Sequence, residues 1–219
     1  MRYRNRVDAG IRLAESLTHL RDSDPVVVGL PRGGVVVAAE VAKALDAPLD
    51  VILVRKLGVR YQPELAMGAI GEGGVRLLDA AMVRRAGLSQ RDIDVVEERE
   101  LANLDRAALR FRGENPPLDL SGRAVVIVDD GIATGATVMA ACEVAWRRTV
   151  SKLVVAAPIG STAAIASIRR IADETVCPTS DRFMSISQYY ADFSEVSDVE
   201  VFACLKAAAE RVAKRTELP

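Results

Sequence analysis

The sequence predicts an α/β fold: a twisted parallel sheet with helices on both faces. Three observations carry that expectation. Runs such as "PVVVGL", "LDVILVRK", "AVVIVDD" and "KLVVAAPI" are rich in Val and Ile and apolar for most of their length, the pattern of strands buried on both faces. Segments with apolar residues at helical spacing alternate with those runs. No internal repeat or low-complexity stretch interrupts the alternation. Strands alternating with helices pair in parallel and need cover on both sides.

The elements follow in order. Residues 5–20 read as an amphipathic helix with Val7, Ile11, Ala14 and Leu17 on one face. A strand is expected over 25–30, a helix over 33–45 and a second strand over 49–56. "LGVRYQPELAMG" is broken by Gly and Pro and reads as irregular. A third strand is expected over 74–79. The spacing of Ile93, Val96, Leu101, Leu104, Ala108 and Phe111 predicts a long helix from Ser89 to Phe111, opened by a Ser89/Asp92 capping box. "ENPPLDLSGR" is a turn-rich connector. A fourth strand over 124–130, a helix from Gly135 to Arg148, a fifth strand over 152–159, a helix near 162–172 and a short strand at "ETVCP" complete the sheet. Residues 1–219 are expected to form one domain, with 178–219 as a hood and C-terminal helix.

Composition bounds the function. The 219 residues carry 29 Lys and Arg against 30 Asp and Glu, a net charge of −1. A nucleic-acid binder would show a basic excess, so none is expected as a partner. Cys142, Cys177 and Cys204 are far apart in the chain and read as reduced thiols. The charged start "MRYRNRVDAG" has no apolar signal core, and no apolar run approaches the length of a membrane span. The expectation is a cytoplasmic protein without a membrane partner. The single histidine, His19, reads as a surface or satisfied structural residue, and no transition-metal spacing is present.

Parallel sheets bind ligands at the carboxyl ends of their strands. That rule singles out "PRGG", "RKLGVRYQPE" and "DDGIATGAT". In "VVIVDDGIATGAT" a buried strand runs into Asp129 and Asp130, then into Ala133, Thr134, Gly135, Ala136 and Thr137. Small residues leave backbone amides bare at a helix N-terminus, which makes an anion site suited to a phosphate. Thr134 and Thr137 add hydroxyls. No Lys follows the final Gly, so this is not a Walker loop. The two carboxylates would repel a phosphate but can accept hydrogen bonds from vicinal sugar hydroxyls. The implied ligand is a sugar phosphate. Receiver domains also place acids at a strand end, but after the first strand and without a Thr-Gly loop. The Gly71–Gly73 pair reads only as a turn.

These residues resemble the diphosphoribose-binding motif of type I phosphoribosyltransferases. The order of the remaining elements is similar too, most of all to members with "PRGG", "VRKLG" and "ELAMGAI" segments. The resemblance implies 5-phosphoribosyl-1-diphosphate (PRPP) as ligand, its 5-phosphate at Ala133–Thr137 and its ribose hydroxyls at Asp129 and Asp130. It implies that "PRGG" holds the pyrophosphate with Arg32, Gly33 and Gly34, and that a cis peptide precedes Arg32. Arg55 and Lys56 are implied as further pyrophosphate ligands, and the next loop as a closing lid with Gly58 as hinge and Arg60 at its tip. Asp129, Asp130 and Arg32 would carry catalysis, with Mg2+ held by ligand oxygens and water rather than directly by the protein.

"FMSISQYYADF" resembles the hood of the hypoxanthine-guanine enzymes. It implies Phe183 as the ring that stacks on the acceptor and Asp192 as the adjoining acid. Two features depart from those relatives. Ala133 stands where they have an Asp, and Pro158–Ser161 offers no Lys. The base and the reader of a 6-oxo group are therefore missing, and the acceptor stays open. The expected activity is transfer of the phosphoribosyl group to a nitrogen acceptor in nucleotide metabolism, with pyrophosphate released. A PRPP-sensing regulator with little catalysis and a phosphate-ester hydrolase on a related fold are the alternatives. A homodimer is compatible with the reading.

Overall fold

The computed structural model describes residues 2–59, 61–113 and 115–216. In chain order its elements are α1 (Arg6–Glu15), β1 (Val26–Gly29), α2 (Gly33–Leu45), β2 (Leu49–Val51), β3 (Val54–Val59), β4 (Gln62–Gly71), β5 (Val75–Leu78), α3 (Ala80–Arg85), α4 (Gln90–Arg112), β6 (Ala124–Val128), α5 (Ala136–Arg147), β7 (Lys152–Ala156), β8 (Ile159–Ser161), α6 (Thr162–Ile168), β9 (Glu174–Val176), β10 (Thr179–Asp181) and α7 (Asp198–Thr216). The central sheet has the order β2-β1-β6-β7-β9, and every pair in it is parallel.

Side chains alternate across the sheet as the strand period requires. Val26, Val28, Val125, Ile127, Leu153 and Val155 face one way, against α5 and α6. Val27, Val126, Val128, Val154 and Ala156 face the other way, against α1, α2 and α7. Both faces are covered, so the strands read as unbroken apolar runs.

The second expected strand is two strands. It breaks at Ile52 and Leu53, and the chain leaves the parallel sheet there. Arg55 and Lys56 lie on β3, which pairs antiparallel with β4, and β4 pairs antiparallel with β5. The "irregular" segment is thus largely the long strand β4, and 74–79 contributes β5 to this second sheet. The difference has a physical source. Leu57, Val59, Met67 and Ile70 pack on Ile93, Val96, Leu104 and Phe111 of α4, while Arg55 and Lys56 are exposed. Local Gly and Pro, and the lack of a regular apolar alternation, hid these strands in the sequence. The register shifts on both sides of Gly58, where the extra residues lie on the β4 side of the pair. Arg60, expected at the lid's tip, lies outside the described residues.

Two helix faces also need correction. On α1 the buried side is Ala9, Gly10, Leu13 and Ala14, while Val7 and Ile11 are 41% and 48% exposed. Small residues let α1 lie close on α2, so the buried stripe is not the most apolar one. On α4 Leu101 is exposed, and Ala107 is buried beside Leu104 and Phe111. The Ser89/Asp92 capping box is present, with Ser89 Oγ accepting from the Asp92 amide at 3.2 Å.

A buried ion network joins the two sheets. Arg112, at the end of α4, donates to Asp50 of β2 at 2.8 Å and to Glu72 in the turn after β4. It also donates to the Val51 carbonyl. Asp50 accepts from the Leu118 amide at 2.9 Å, and Glu72 accepts from the Leu53 amide at 3.2 Å. The network holds the antiparallel sheet at a fixed place beside β2.

Candidate functional site

Strand adjacency builds the site. β1 and β6 are neighbours, with Gly29 paired to Val128. The "PRGG" turn and the "DDGIATGAT" loop therefore emerge side by side from the same sheet edge. The Pro31–Arg32 bond is cis, at the position expected. Gly33 and Gly34 open α2 directly against the two acids. A side chain at Gly34 would meet the Val128 carbonyl oxygen at 2.8 Å and Asp129 Cα at 2.9 Å. One at Gly33 would collide with Asp130 Oδ2. The Gly34 collision is with the strand-end backbone, which cannot give way, whereas the Gly33 one is with the Asp130 and Arg6 side chains; glycine at 34 lets α2's positive end come this close to the carboxylates. Gly34→Ala is expected to cost activity and stability together, measured by ligand titration and by melting.

Asp129 and Asp130 are more enclosed than a strand end suggests. Burial, and then the neighbouring Asp130 charge, push the Asp129 carboxyl well above its usual range. Burial also raises Asp130, opposed by Arg6. The counter-charge comes from α1: Arg6 Nε donates to Asp130 Oδ2 at 2.6 Å. Its guanidinium lies 3.9 Å from the Phe193 ring centroid, and Nη1 donates to the Ser194 carbonyl at 2.7 Å. The Tyr190 hydroxyl donates to the Asp130 carbonyl at 2.6 Å.

The loop after the acids has the form of an anion site. Ala133, Thr134 and Thr137 are exposed. Gly135 caps α5 with φ of 80°, a conformation that other side chains rarely adopt. Among the described residues, the amides of Ala133, Thr134 and Gly135 donate to no acceptor, and that of Ala136 reaches only Thr134 Oγ1 at 3.5 Å. Ser161 Oγ donates to the Ala133 carbonyl at 2.6 Å and accepts from the Ala164 amide at 3.2 Å. That pair of bonds fixes the loop against α6.

Arg32 and Arg55 line one polar cavity of about 310 Å³ with Leu53, Val54 and Arg110. The structure therefore brings these two cations together although they belong to different sheets. Arg32 is paired with Glu195 of the hood, and Arg110 with Asp198 at 2.6 Å. Lys56 is exposed on β3 and does not line this cavity.

Residues 179–195 lie beside the strand ends, where the Tyr190 hydroxyl reaches the Asp130 carbonyl, while α7 packs on α2 and α4 and supplies Val201 and Ala208 to the core. Residues 3 and 4 zip onto the hood: the Tyr3 amide donates to the Tyr189 carbonyl at 2.7 Å and the Asp192 amide to the Arg4 carbonyl at 2.9 Å. Phe183 is half-buried, edge-on to Tyr189 with centroids 5.6 Å apart. Asp192 accepts from the Ser194 amide at 3.0 Å and its hydroxyl at 2.7 Å, so its carboxylate closes a turn. His19 pairs with Glu174 at 2.8 Å on the surface.

Sequence reasoning missed Arg6, Tyr190, Glu195 and Arg110. Arg6 and Tyr190 carried no motif and become neighbours of Asp130 only through the fold. The aromatic density of "QYYADF" was the one signal available for the hood's part.

Fold and site together define an α/β protein whose two small-residue loops meet at the carboxyl ends of adjacent parallel strands. A phosphoribosyl transferase domain model matches residues 2–194, and the chain belongs to that family. Proteins from two Mycobacterium tuberculosis strains, CDC 1551 / Oshkosh and ATCC 25618 / H37Rv, provisionally named phosphoribosyl transferases, are 52% identical over 205 residues. The match takes in 93% of this chain but 46% of theirs, so the chain spans about half the length of these relatives. The crystal structure of TT1426 from Thermus thermophilus is 43% identical, with a TM-score of 0.80, covering 94% of this chain and 98% of that one. The AQ2163 protein from Aquifex aeolicus shares the fold at 13% identity and a TM-score of 0.50, over 81% of this chain and 76% of that one.

Proposed function

We propose that the chain transfers the 5-phosphoribosyl group of PRPP to a nitrogen acceptor and releases pyrophosphate. The observation that carries the reading is the meeting, at adjacent strands β1 and β6, of a loop with unpaired amides, a carboxylate pair and an arginine-bearing turn. The 5-phosphate would take the amides of Ala133–Thr137, and the ribose hydroxyls would donate to Asp129 and Asp130. The diphosphate would lie toward the cavity shared by Arg32 and Arg55, with Arg110 as a third cation at its wall.

Reaction breaks the bond from ribose C1 to the diphosphate oxygen, and the electron pair leaves with the diphosphate. Positive charge develops on the ring, on the side faced by the two carboxylates. Arg32 and Arg55 would stabilise the departing charge. The acceptor nitrogen then bonds to C1 and gives up its proton to the departing diphosphate. Ala133 supplies no base, so the acceptor should be an easily deprotonated ring or an amine.

The residues fit magnesium delivered on the ligand. Among the described residues no group of three or more His, Cys, Asp or Glu forms a cage, and one of the two site carboxylates already pairs with Arg6. Mg2+ needs few protein ligands when phosphate oxygens and water complete its shell. When bound, it would neutralise charge on the leaving diphosphate. Among the described residues no helix is long and apolar enough to cross a membrane. The three cysteines are unpaired, which is compatible with the cytoplasmic setting proposed for this activity.

The test is PRPP-dependent pyrophosphate release across a panel of nucleobases and amines. Release with one acceptor class is expected. PRPP binding with no release from any acceptor would replace transfer with the PRPP-sensing reading. The same assay locates the acceptor. Phe183→Ala is expected to weaken acceptor binding by about 1–3 kcal/mol, roughly five- to hundredfold, with PRPP binding nearly unchanged. Equal loss of both substrates would make Phe183 a packing residue of the hood.

A further inference from the structure

We propose that Arg6 is a positioning residue for Asp130: its guanidinium holds the carboxylate ionised and aims its free oxygen at the ribose. The proposal rests on the ribose reading above. Asp129 and Asp130 are adjacent acids withdrawn from water, and two such groups do not both ionise without a nearby counter-charge. Arg6 supplies it at 2.6 Å, with side-chain exposures of 11% and 15% for the pair. A pair this enclosed is screened far less than a surface ion pair.

The placement of Arg6 is built, not incidental. Phe193 lies beneath the guanidinium, and the Ser194 carbonyl takes a second N–H. Residues 3 and 4 are stitched to the hood by backbone bonds, which fixes where α1 begins. A side chain at Gly33 would meet Arg6 Nε at 2.7 Å as well as the Asp130 carboxylate. Helix α1, the "PRGG" turn, the strand end and the hood therefore all converge on this ion pair. Asp130 Oδ2 is occupied by Arg6, which leaves Oδ1 to accept from a hydroxyl.

Other charged groups face the pair and behave differently. Asp129 is the second acid of the pair. From the hood, Asp192 is held low by the Ser194 amide, and from α7, Glu200 is held low by the Ser197 amide. Both stay ionised where Asp130 titrates. Burial holds the Tyr190 hydroxyl high, so it remains protonated. Arg32 is turned to Glu195. Removing Arg6 leaves Asp130 beside acids alone among its close titrating neighbours. Its carboxyl then protonates at higher pH, and PRPP affinity falls as pH drops through that point.

The experiment is calorimetric PRPP titration from acid to alkaline pH with wild type, Arg6→Gln, Phe193→Leu and Asp130→Asn. PRPP's own phosphates titrate identically against every variant, so differences read the protein. Arg6→Gln is expected to move the acid-side midpoint up by about one unit or more. It should bind about tenfold or more weakly at pH below the wild-type midpoint and match wild type well above its own midpoint. Phe193→Leu removes the ring under the guanidinium without touching α1 or the sheet. It should move the midpoint the same way by less, which keeps the test open if Arg6→Gln does not fold. A pH-independent loss, or an unmoved midpoint in the folded variants, overturns the role of Arg6. If Asp130→Asn weakens PRPP while the midpoint stays fixed, the ribose reading survives and only Arg6 is reassigned. Unchanged binding in Asp130→Asn overturns both.

Discussion

Asp129→Asn with Asp130→Asn is expected to abolish PRPP binding while the protein stays folded. Each carboxylate would accept charge-assisted hydrogen bonds from ribose hydroxyls, worth about 1.5–3 kcal/mol apiece. Losing one from each residue weakens binding by roughly two to four orders of magnitude. The fold should tolerate the change. The acids sit at a strand's carboxyl end, and their neutral isosteres relieve a repulsion that burial makes worse. Arg6 keeps its bond to Ser194 and its seat on Phe193. Calorimetry and a melting curve on the same sample check both halves. Unchanged affinity would remove the ribose assignment, and a collapsed melt would make the acids structural.

Arg112→Met should destabilise the protein by about 3–5 kcal/mol, because it strands two buried carboxylates without their partner. Asp50 and Glu72 are held by Arg112 from opposite sides of the junction between the sheets. Arg148 also pairs with Glu72, at 3.7 Å, so Asp50 bears most of the loss. Adding Asp50→Asn should recover part of the loss, since Glu72 keeps its pair with Arg148 and no buried carboxylate is then left alone. Denaturant titration of the variants reads the difference. The junction also sets the distance from Arg55 on β3 to Arg32 after β1, so Arg112→Met should weaken diphosphate binding as well. A loss below about 1 kcal/mol would show that water or rearrangement satisfies the two acids.

Much of this fold was legible in the sequence because its central strands are buried on both faces and read as pure Val and Ile runs. The strand-end rule then led directly to "PRGG" and "DDGIATGAT" without any knowledge of tertiary contacts. The antiparallel sheet was not legible. Its strands carry Gly and Pro without a regular apolar alternation, and are told from loops only by their pairing and their packing on α4. Helix α1 misled in a different way: Val7 and Ile11 are the apolar residues, yet Ala9 and Gly10 make the close approach. Within the site, residues adjacent in sequence to a strand end could be named. Arg6 could not, since it reaches Asp130 across 124 residues of chain. Arg110 and Glu195 escaped for the same reason, because each becomes relevant only where separate elements share a cavity or a turn.

The turn after β1, the loop after β6 and Arg55 of β3 should divide one PRPP molecule among them. A crystal structure of the protein soaked with PRPP and Mg2+ should show the 5-phosphate on the amides of Ala133–Thr137, the ribose hydroxyls on Asp129 and Asp130, and the diphosphate toward Arg32 and Arg55. A phosphoribosyl group bound elsewhere, or bound here with the Ala133–Thr137 amides untouched and the two carboxylates away from the ribose, would contradict it.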